Sequence, residues 1–513
     1  MDVLLSLRHG LLLYLGLGYL TYLILWRCFL SPLTRLPGPK LAALTYWYEC
    51  YYDIVQPAQY AFKIKRLHSE YASVVRIGPN DVSISDPDFI DTIYAPGPGH
   101  KRDKNAKQSR SLSISSSIGG SIAHDLHHNR REALNPFFSL QSIHRLDPDL
   151  ASKAAQVENV FANAKKSGQV LNLSNIYFAF CNDVGHKYCF GSDPNLLGNL
   201  QLASARRKNV ISVLGSVKVM FHFSWVRKLL QRLPGGGTGA HGMVMFRRRI
   251  QAQIDAVLSR AHSPDEAPSI FTHLRDSAVL PAAEKSAQRL EDEAVLMTMA
   301  GTYSPTLSLV VAHYHLLTRP DILAKLRAEL GGVRGSGMPT AAAERERLPY
   351  LSAIAQEAHR LTFGLTGRNA RVCPDEAILY KDKKSGRTYT FPPGTSLSAS
   401  TLVIHTDESL FPDPWTFDPG RWIQPTSTFD TTEIHPNKES DDETSLLIAR
   451  RRRSMLSFMR GPRRSLLGVM ACWDLELFET DEEDVKFKHD YHVMCPKLGS
   501  KGVRVKVKGR WNA

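Results

Sequence analysis

The chain has 513 residues, of which 43% are hydrophobic, enough to build one large globular unit or two smaller ones. Its seven cysteines stand singly along the chain, which excludes a disulfide framework and a zinc site of the Cys-x-x-Cys type. The formal net charge of +14 comes from dispersed basic residues without a nucleic-acid-binding motif, so we expect no nucleic-acid partner.

The first predicted element is an apolar segment, Gly10–Leu30, that carries no charge before Arg27. About 20 apolar residues suffice to span the hydrocarbon core of a bilayer, and Tyr and Trp near its ends favour the membrane interface. A cleaved signal peptide is the competing interpretation, but the apolar run is longer than a signal-peptide core and no small-residue cleavage site follows. The sequence therefore predicts a membrane anchor over residues 1–35, and the flanking basic residues favour a cytosolic body.

The body, residues 36–513, begins at the stiff Pro-Gly-Pro turn of Pro37–Pro39. Two β-type runs within Ser73–Asp86 surround a Gly-Pro-Asn turn and predict a hairpin. The Ser- and Gly-rich stretch Ser109–Ser121 predicts a mobile loop, and a helical pattern starts at His124.

The remainder of the body combines a helical middle with short strands. Apolar residues recur at helical spacing between about 145 and 331, whereas Thr388–Ile404 is typical of short strands. The acidic run Glu439–Thr444 and the basic run Arg450–Arg453 predict a solvated insertion. The sequence contains no dinucleotide, P-loop or Gly-x-Ser-x-Gly motif, which excludes those enzyme classes. The predicted fold class is mainly α with small β-sheets.

Two short patterns combine one carboxylate with two arginines. Glu357 and Arg360 are three residues apart in a predicted helix, where they share a face and can pair. The turn-rich segment Phe417–Trp422 supplies Arg421. An exposed pair contributes little to stability. The pair alone is therefore weak evidence, and its weight comes from the second arginine that Phe417–Trp422 supplies.

The order of these motifs resembles that of the cytochrome P450 haem-thiolate monooxygenases, and the resemblance covers nearly the whole chain. It implies a cytochrome P450 fold behind one transmembrane helix, in which Glu357, Arg360 and Arg421 form a buried structural triad. Tyr48–Asp53 is most similar to fungal trichodiene-oxygenase-type members, which oxidise terpenoid and related secondary metabolites. The implied cofactor is haem, and the implied partners are NADPH-cytochrome P450 reductase, a lipophilic small molecule and the endoplasmic reticulum membrane.

The resemblance also assigns contacts to the haem propionates. Leu126–Phe138 is similar to the fungal form of the propionate-binding helix, with His127 and Arg131 in those roles. Arg371 resembles another propionate partner, and Arg463 belongs to the loop that carries the iron ligand. Cationic donors suit this task because charge-assisted hydrogen bonds hold carboxylates firmly.

Ala300–Thr306 resembles the family's oxygen-activating helix, in which an acid and then a threonine usually relay protons. Here Tyr303 occupies the acid position, Ser304 occupies the alcohol position, and Pro305 removes a backbone donor in mid-helix. A phenol with a pKa of about 10 is a poor relay at neutral pH. Ser304 is the remaining candidate, and the alternative is an apolar core helix with a proline kink.

The segment Ser457–Trp473, SFMRGPRRSLLGVMACW, resembles the haem-ligand signature F-x-x-G-x-R-x-C-x-G, whose Cys thiolate binds iron. The matching residues are Phe458, Gly461 and Arg463. Ser465 stands in the Cys position, and a frame that uses Gly468 as the last glycine puts Leu466 there instead. Neither supplies sulfur, and a serine hydroxyl is a poor replacement for a thiolate.

The region behind this loop is also short. Cys472 lies seven residues beyond Ser465, too far to take the same position without rebuilding the loop. Only Val469–Trp473 separates Gly468 from the next family-like segment, so the helix that backs the haem is truncated around residues 461–473. Such a gap is also typical of a mispredicted splice junction.

The leading interpretation is a membrane-anchored fungal cytochrome P450 of secondary metabolism that is non-functional in this sequence because the axial Cys is absent. One alternative is an active haem monooxygenase whose ligand region is misrepresented by a gene-model error. A second alternative is a non-catalytic binding or scaffold protein.

Overall fold

The computed structural model describes residues 2–94, 97, 99–111, 114–223, 225–226, 238–260, 269–333, 348–383, 385–424, 438–456 and 471–511. Within these residues the chain is mainly helical and carries four small sheets, as predicted. The described α-helices are α1 Asp2–Leu25, α2 Lys40–Leu44, α3 Trp47–Cys50, α4 Tyr60–Tyr71, α5 Ile90–Tyr94, α6 Ala106–Ser111, α7 His124–Leu134, α8 Leu140–His144, α9 Asp147–Ser167, α10 Leu173–Phe190, α11 Leu200–His222, α12 Thr238–Ser259, α13 Ile270–Asp276, α14 Ala287–Thr318, α15 Pro320–Val333, α16 Pro349–Thr362, α17 Thr401–His405 and α18 Lys438–Arg453.

The strands are short and antiparallel except for one parallel pairing, β2 with β8. They are β1 Val74–Arg76, β2 Asp81–Ile84, β3 Asp103–Lys104, β4 Leu171–Asn172, β5 Arg371–Val372, β6 Ile378–Lys381, β7 Thr388–Phe391, β8 Ser396–Ser398, β9 Trp473–Leu477, β10 His489–Asp490, β11 Met494–Cys495 and β12 Arg504–Arg510. The sheet orders are β1-β2-β8-β5-β3, β6-β7, β4-β12-β9 and β10-β11.

The first compact unit comprises Met1–Asn105 and Arg368–Ile404 and contains the five-stranded sheet. The predicted hairpin is present, since β1 pairs with β2 in antiparallel register. Two strands, β7 and β8, lie within the segment predicted as strands, but its end is wrong because residues 401–405 form α17. Apolar residues of α4 recur at helical spacing and pack against β1. The buried cluster is Tyr60, Ile64, Leu67, Val75, Ile77 and Val403.

The Pro-Gly-Pro turn is packed closely on the edge of the first unit. Gly38 has a φ of +144°, and a Cβ at this position would lie 2.5 Å from the carbonyl oxygen of Arg76. The N–H of Arg76 donates to the carbonyl of Pro37 at 2.7 Å. Only glycine permits this conformation and this close backbone approach.

The second compact unit comprises Ala106–Gly367 and His405–Ala513. Its central helix is α14, which packs against α10, α12 and α16. Apolar side chains from these and neighbouring helices build the core, and one buried cluster includes Phe190, Phe271, Ile254 and Leu290. The sheets β4-β12-β9 and β10-β11 belong to the same unit.

Two described helices are long and apolar enough to cross a bilayer. Arg8–Leu30 is not buried at all and is the candidate anchor predicted from the sequence. Ala287–Thr318, helix α14, is 56% buried and is a core helix of the second unit. Because burial sets α14 apart, Arg8–Leu30 is the candidate membrane span among the described residues.

The prediction of a mobile loop over Ser109–Ser121 is wrong at both ends, because residues 109–111 belong to α6 and the backbone of Ser116 and Ile118 is held by hydrogen bonds. Asp292 of α14 accepts a hydrogen bond from the N–H of Ser116, and Glu293 accepts one from the N–H of Ile118, both at 2.9 Å. Two consecutive carboxylates of the central helix thus hold the loop backbone, which the composition of the loop does not reveal.

The prediction of a solvated insertion around Arg450–Arg453 also needs correction. Residues 438–453 form α18, and the side chain of Arg451 is buried. Its Nε donates to the carbonyl of Leu410 at 2.6 Å, and its Nη1 donates to the carbonyl of Arg421 at 2.8 Å. The middle of the basic run is therefore an internal contact.

Candidate functional site

Glu357 and Arg360, the pair predicted from their spacing, are fully buried on α16. Arg360 donates from Nε to Glu357 Oε2 at 2.9 Å and from Nη2 to Oε1 at 2.7 Å, which is a bidentate contact. Its Nη1 donates to the carbonyl of His405 at 2.9 Å and to that of Pro414 at 2.5 Å. A buried ion pair of this kind is tolerated only because its remaining hydrogen-bonding capacity is also satisfied.

The turn Pro419–Trp422 completes the environment of the Glu357 carboxylate. Arg421 Nε lies 3.5 Å from Glu357 Oε1 in an ion-pair contact. Trp422 Nε1 donates to Oε2 at 2.9 Å, and the N–H of Asp418 donates to Oε1 at 3.1 Å. The structure thus brings the three triad residues together, and the carboxylate is saturated by protein donors.

The helix segment Ala300–Thr306 contains no carboxylate and offers one half-buried hydroxyl at the position of interest, Ser304. Tyr303 is buried, and burial raises the pKa of its phenol above the ordinary value. The phenol is therefore neutral at neutral pH and can only donate a proton with difficulty. Pro305 lies inside α14 and removes the N–H that would bond the carbonyl of Gly301.

Helix α7 places the two proposed propionate residues differently. His127 is half-buried and Arg131 is exposed. The buried arginine of this helix is Arg130, which donates from Nε and Nη2 to the carboxylate of Glu284, both at 2.8 Å. Hydrogen bonds from Arg130 hold the pKa of Glu284 below its ordinary value. Arg130 therefore serves a structural ion pair, whereas Arg131 keeps its side chain toward solvent.

Arg371 lies on β5 of the first unit. Its Nη1 donates to the carbonyl of Asn369 at 2.8 Å, and its guanidinium lies 5.4 Å from the centre of the Tyr94 ring. Burial lowers the pKa of Arg371, but an arginine remains protonated at neutral pH. Part of its donor capacity is thus spent on its own backbone.

The ligand loop, residues 457–470, lies outside the described residues, and with it Arg463, Ser465 and Leu466. The chain that follows it is held firmly. The carbonyl of Cys472 accepts a hydrogen bond from the N–H of Trp511 at 2.8 Å, and the carbonyl of Ala471 accepts one from Arg327 Nε at 2.9 Å. Cys472 is buried directly before β9, so its backbone is part of the sheet end.

These residues do not fit a haem with thiolate ligation. Residues 457–471 contain no cysteine. On either side of Cys472, the carbonyls of Ala471 and Trp473 accept hydrogen bonds from the guanidinium of Arg327. The donor chemistry of the loop is one departure from the resemblance, and the short segment behind the loop is a second.

Sequence reasoning missed three residues that support the charge cluster. Trp422 contacts Glu357 directly, and its place beside Arg421 in the quoted turn was the available signal. His405 accepts the N–H of Leu456 on Nε2 at 3.2 Å, and its Nδ1 lies 3.1 Å from the carbonyl of Arg360. The third residue is Arg451. The sequence offered little indication of its burial, since the one buried apolar residue described on the same helix is Ile448, three residues earlier.

Comparison with known proteins gives a consistent result over most of the chain. The family model "Cytochrome P450" matches residues 47–464. The match ends one residue before Ser465, which the resemblance places at the position of the ligand Cys.

Curated relatives align along almost their whole length. Cytochrome P450 monooxygenase tpcC of Cochliobolus heterostrophus is 34% identical, with 95% of each chain covered. Cytochrome P450 monooxygenase astB of Talaromyces wortmannii is 33% identical over 97% of this chain and 96% of the relative. Cytochrome P450 monooxygenase sdnE of Sordaria araneosa is 32% identical, with 96% of each chain covered.

Proposed function

Because the chain belongs to the cytochrome P450 family, we propose that it is a membrane-anchored member of fungal secondary metabolism that does not form a thiolate-ligated haem with this sequence. The family implies haem as the cofactor. The similar fungal monooxygenases support the metabolic assignment. Terpenoids and related metabolites are the substrate class that we propose for the lineage.

One observation carries the proposal of impaired chemistry. The axial position holds Ser465 in a loop without cysteine, and the nearest cysteine, Cys472, is fixed at a sheet end. The thiolate of an active member donates electron density to iron and favours cleavage of the O–O bond. A serine hydroxyl does not supply that density.

The remaining residues have roles that do not depend on turnover. Glu357, Arg360 and Arg421 hold the segment after α17 by a saturated, buried charge cluster. His127, Arg131, Arg371 and Arg463 are the proposed cationic contacts to propionates. Ser304 is the proposed hydroxyl of the oxygen-activating helix, and Tyr303 is a neutral substitute for its acid.

We further propose an endoplasmic reticulum location with the body in the cytosol. The candidate span Arg8–Leu30 and the basic residues on its far side support this orientation. A lipophilic substrate would reach such a protein from the bilayer. NADPH-cytochrome P450 reductase would be its electron donor only if the ligand region were complete.

A second candidate function is an active monooxygenase whose ligand region is misrepresented by a gene-model error. It is favoured by the intact charge cluster around Glu357 and by a family match that extends to residue 464. Sequencing the transcript across Ser457–Trp473 distinguishes the two candidates. A Cys codon in the signature would support the active monooxygenase. A transcript that encodes Ser457–Trp473 unchanged would exclude the gene-model error.

The test of the leading proposal is spectroscopic. The expressed chain is purified in detergent, its haem content is measured, and its reduced carbon-monoxide spectrum is recorded. We expect little or no haem and no long-wavelength thiolate band. Ser465→Cys alone should not restore activity, because the backing helix and the acid at position 303 are still missing, whereas a full family-like loop and helix should restore haem binding.

Each outcome of this experiment has a defined meaning. A thiolate-type spectrum from the unmodified chain would overturn the proposal, and Cys472→Ser would then test whether Cys472 is the ligand. A folded, haem-free protein that retains helical circular dichroism would agree with it and would favour a binding role. A chain that does not fold even with the restored loop would contradict the proposal that the rest of the chain forms a cytochrome P450 fold.

A further inference from the structure

Helices α11 and α12 of the second unit carry a strong excess of positive charge. Their own carboxylates do not balance it, because α11 contains no Asp or Glu and α12 contains only Asp255. A run of like charge is usually a solvated helix face, so the partners of the cations decide whether the excess has a function. The lysines and arginines are Arg206, Arg207, Lys208 and Lys218 on α11 and Arg247, Arg248 and Arg249 on α12.

Three of these cations are held by other parts of the second unit. Arg247 forms ion pairs with two carboxylates of α14, and Lys218 forms one with Asp490. Arg207 donates from Nε to Asn175 Oδ1 at 2.7 Å. Four further cations form no ion pair and no hydrogen bond to a carboxylate among the described residues, namely Arg206, Lys208, Arg248 and Arg249.

The packing of the two helices brings Arg206 and Arg249 together. A Cβ at Gly242 of α12 would lie 3.6 Å from the Cβ of Asn209 on α11, so the helices are in direct contact there. Arg206 lies one turn before Asn209, and Arg249 lies two turns after Gly242. Burial lowers the pKa of Arg206, and the charge of Arg249 lowers it further. The two guanidinium groups therefore converge across an antiparallel helix pair.

The nearest carboxylate does not neutralise this pair. Asp183 favours the charged form of Arg206, but it already accepts hydrogen bonds from the N–H of Leu196 at 2.7 Å and the N–H of Leu197 at 3.1 Å. Lys153 Nζ is a third donor to it, at 3.1 Å. The Nε of Arg206 is buried without a hydrogen-bond partner among the described residues. Half-buried like charges and an unpaired N–H cost free energy, which an anion between them would offset.

We propose that Arg206 and Arg249 bind a phosphate group between α11 and α12, and that Lys208 and Arg248 add positive potential around it. A guanidinium presents a planar fork of N–H donors that matches phosphate oxygens. Four cations without a carboxylate favour a group with more than one negative charge, such as a phosphate monoester. A soluble phosphate ester and a lipid headgroup share this chemistry. The site is independent of haem binding.

The test follows amide hydrogen exchange of the full-length chain in micelles of an uncharged detergent. Inorganic phosphate and pyrophosphate are titrated separately, and sodium chloride keeps the ionic strength constant so that screening does not change. We expect both anions to slow exchange in α11 and α12, with pyrophosphate acting at the lower concentration because it carries more charge. Exchange in α9 of the same unit should not change.

Substitutions locate the site. Arg206→Met and Arg249→Met should each weaken pyrophosphate binding by about tenfold or more, because each removes charge-assisted hydrogen bonds. Lys208→Met removes the same charge from an exposed position on α11 and is the matched control, which should weaken binding by less than about threefold. Equal weakening by Arg206→Met and Lys208→Met would indicate a diffuse ion atmosphere and overturn the site. If circular dichroism shows that Arg206→Met is unfolded, Arg249→Met decides.

Bilayers identify the source of the phosphate. The exchange measurement is repeated with the chain in phosphatidylcholine bilayers, with and without phosphatidic acid. Protection by soluble pyrophosphate in micelles would support a soluble phosphate ester, and protection that requires phosphatidic acid would support a lipid headgroup. Unchanged exchange in α11 and α12 under all of these conditions would overturn the proposal.

Discussion

The carboxylate of Glu357 receives every hydrogen bond that it can accept from protein groups, and Arg360 provides two of them. Such a residue has no free lone pair for a substrate or a proton relay. Its chemistry is therefore that of a structural anchor, and its removal should affect folding before it affects any reaction.

Arg360→Ala tests this role at the level of a single residue. The substitution leaves Glu357 buried without its main counter-charge, which typically costs about 3–5 kcal/mol. We expect that loss in the free energy of unfolding, measured by urea titration of the detergent-solubilised chain, together with a sharp fall in expression.

Arg319→Ala is the matched control for this prediction. Arg319 and Asp321 form an ion pair whose side chains are 44% and 57% exposed, and an exposed pair contributes roughly 0–1 kcal/mol. Equal stability of the Arg360→Ala variant and the wild type would contradict the structural role of the cluster.

At the scale of elements, helix α18 is joined to the charge cluster through Arg451. Its guanidinium lies 5.9 Å from the centre of the Phe411 ring, and Arg360 lies 5.0 Å from the same ring. Phe411 thus contacts two cations, and α18 leads directly to the segment before residue 457. The helix is therefore docked by one buried arginine within a basic run.

Arg451→Met tests the docking of α18. The substitution removes charge-assisted hydrogen bonds to the carbonyls of Leu410 and Arg421, and we expect a loss of about 2 kcal/mol or more in the free energy of unfolding. We also expect faster proteolysis within α18. Arg452→Met on the exposed side of the same helix should change stability by less than about 0.5 kcal/mol. Equal effects of the two substitutions would show that the run is solvated.

The contrast between α16 and α18 shows what the sequence can predict. The Glu357–Arg360 pair depends on a spacing of three residues, which is a local property of a helix. Whether Arg451 is solvated depends on acceptors at Leu410 and Arg421, which lie 41 and 30 residues away. Composition predicted a solvated run because it carries no information about those distant carbonyls.

The candidate site divides in the same way. The expected loss of the ligand sulfur rests on residue identity at Ser465 alone, and it stays a prediction because residues 457–470 lie outside the described part of the chain. The position of Cys472 could not be predicted in this way, because its pairing with Trp511 joins two segments of the sheet. The support of the loop Ile114–Ser121 by Asp292 and Glu293 is likewise a long-range contact.

At the scale of the whole molecule, burial of histidines links stability to pH. Burial lowers the pKa of His313 and of His405 from 6.5 to about 3. Both are therefore neutral in the folded chain, whereas the unfolded chain binds a proton at each site below pH 6.5. Between these values the unfolded state holds more protons, so stability is present above the unfolded pKa and is lost as the pH falls.

His313→Phe isolates one of these groups. His313 packs against Tyr177 with ring centres 5.5 Å apart, and its Nδ1 has no hydrogen-bond partner among the described residues. A neutral aromatic ring can replace it without losing a hydrogen bond at that atom. Lowering the pH from 7 to 5 should cost the wild type about 2 kcal/mol through this residue alone. Urea unfolding across that range should therefore show a shallower fall for His313→Phe than for the wild type.

His128→Gln, at an exposed position on α7, is the control and should leave the slope unchanged. Parallel profiles for His313→Phe and the wild type would mean that the folded chain admits the proton at His313, and the burial argument for this helix would fail.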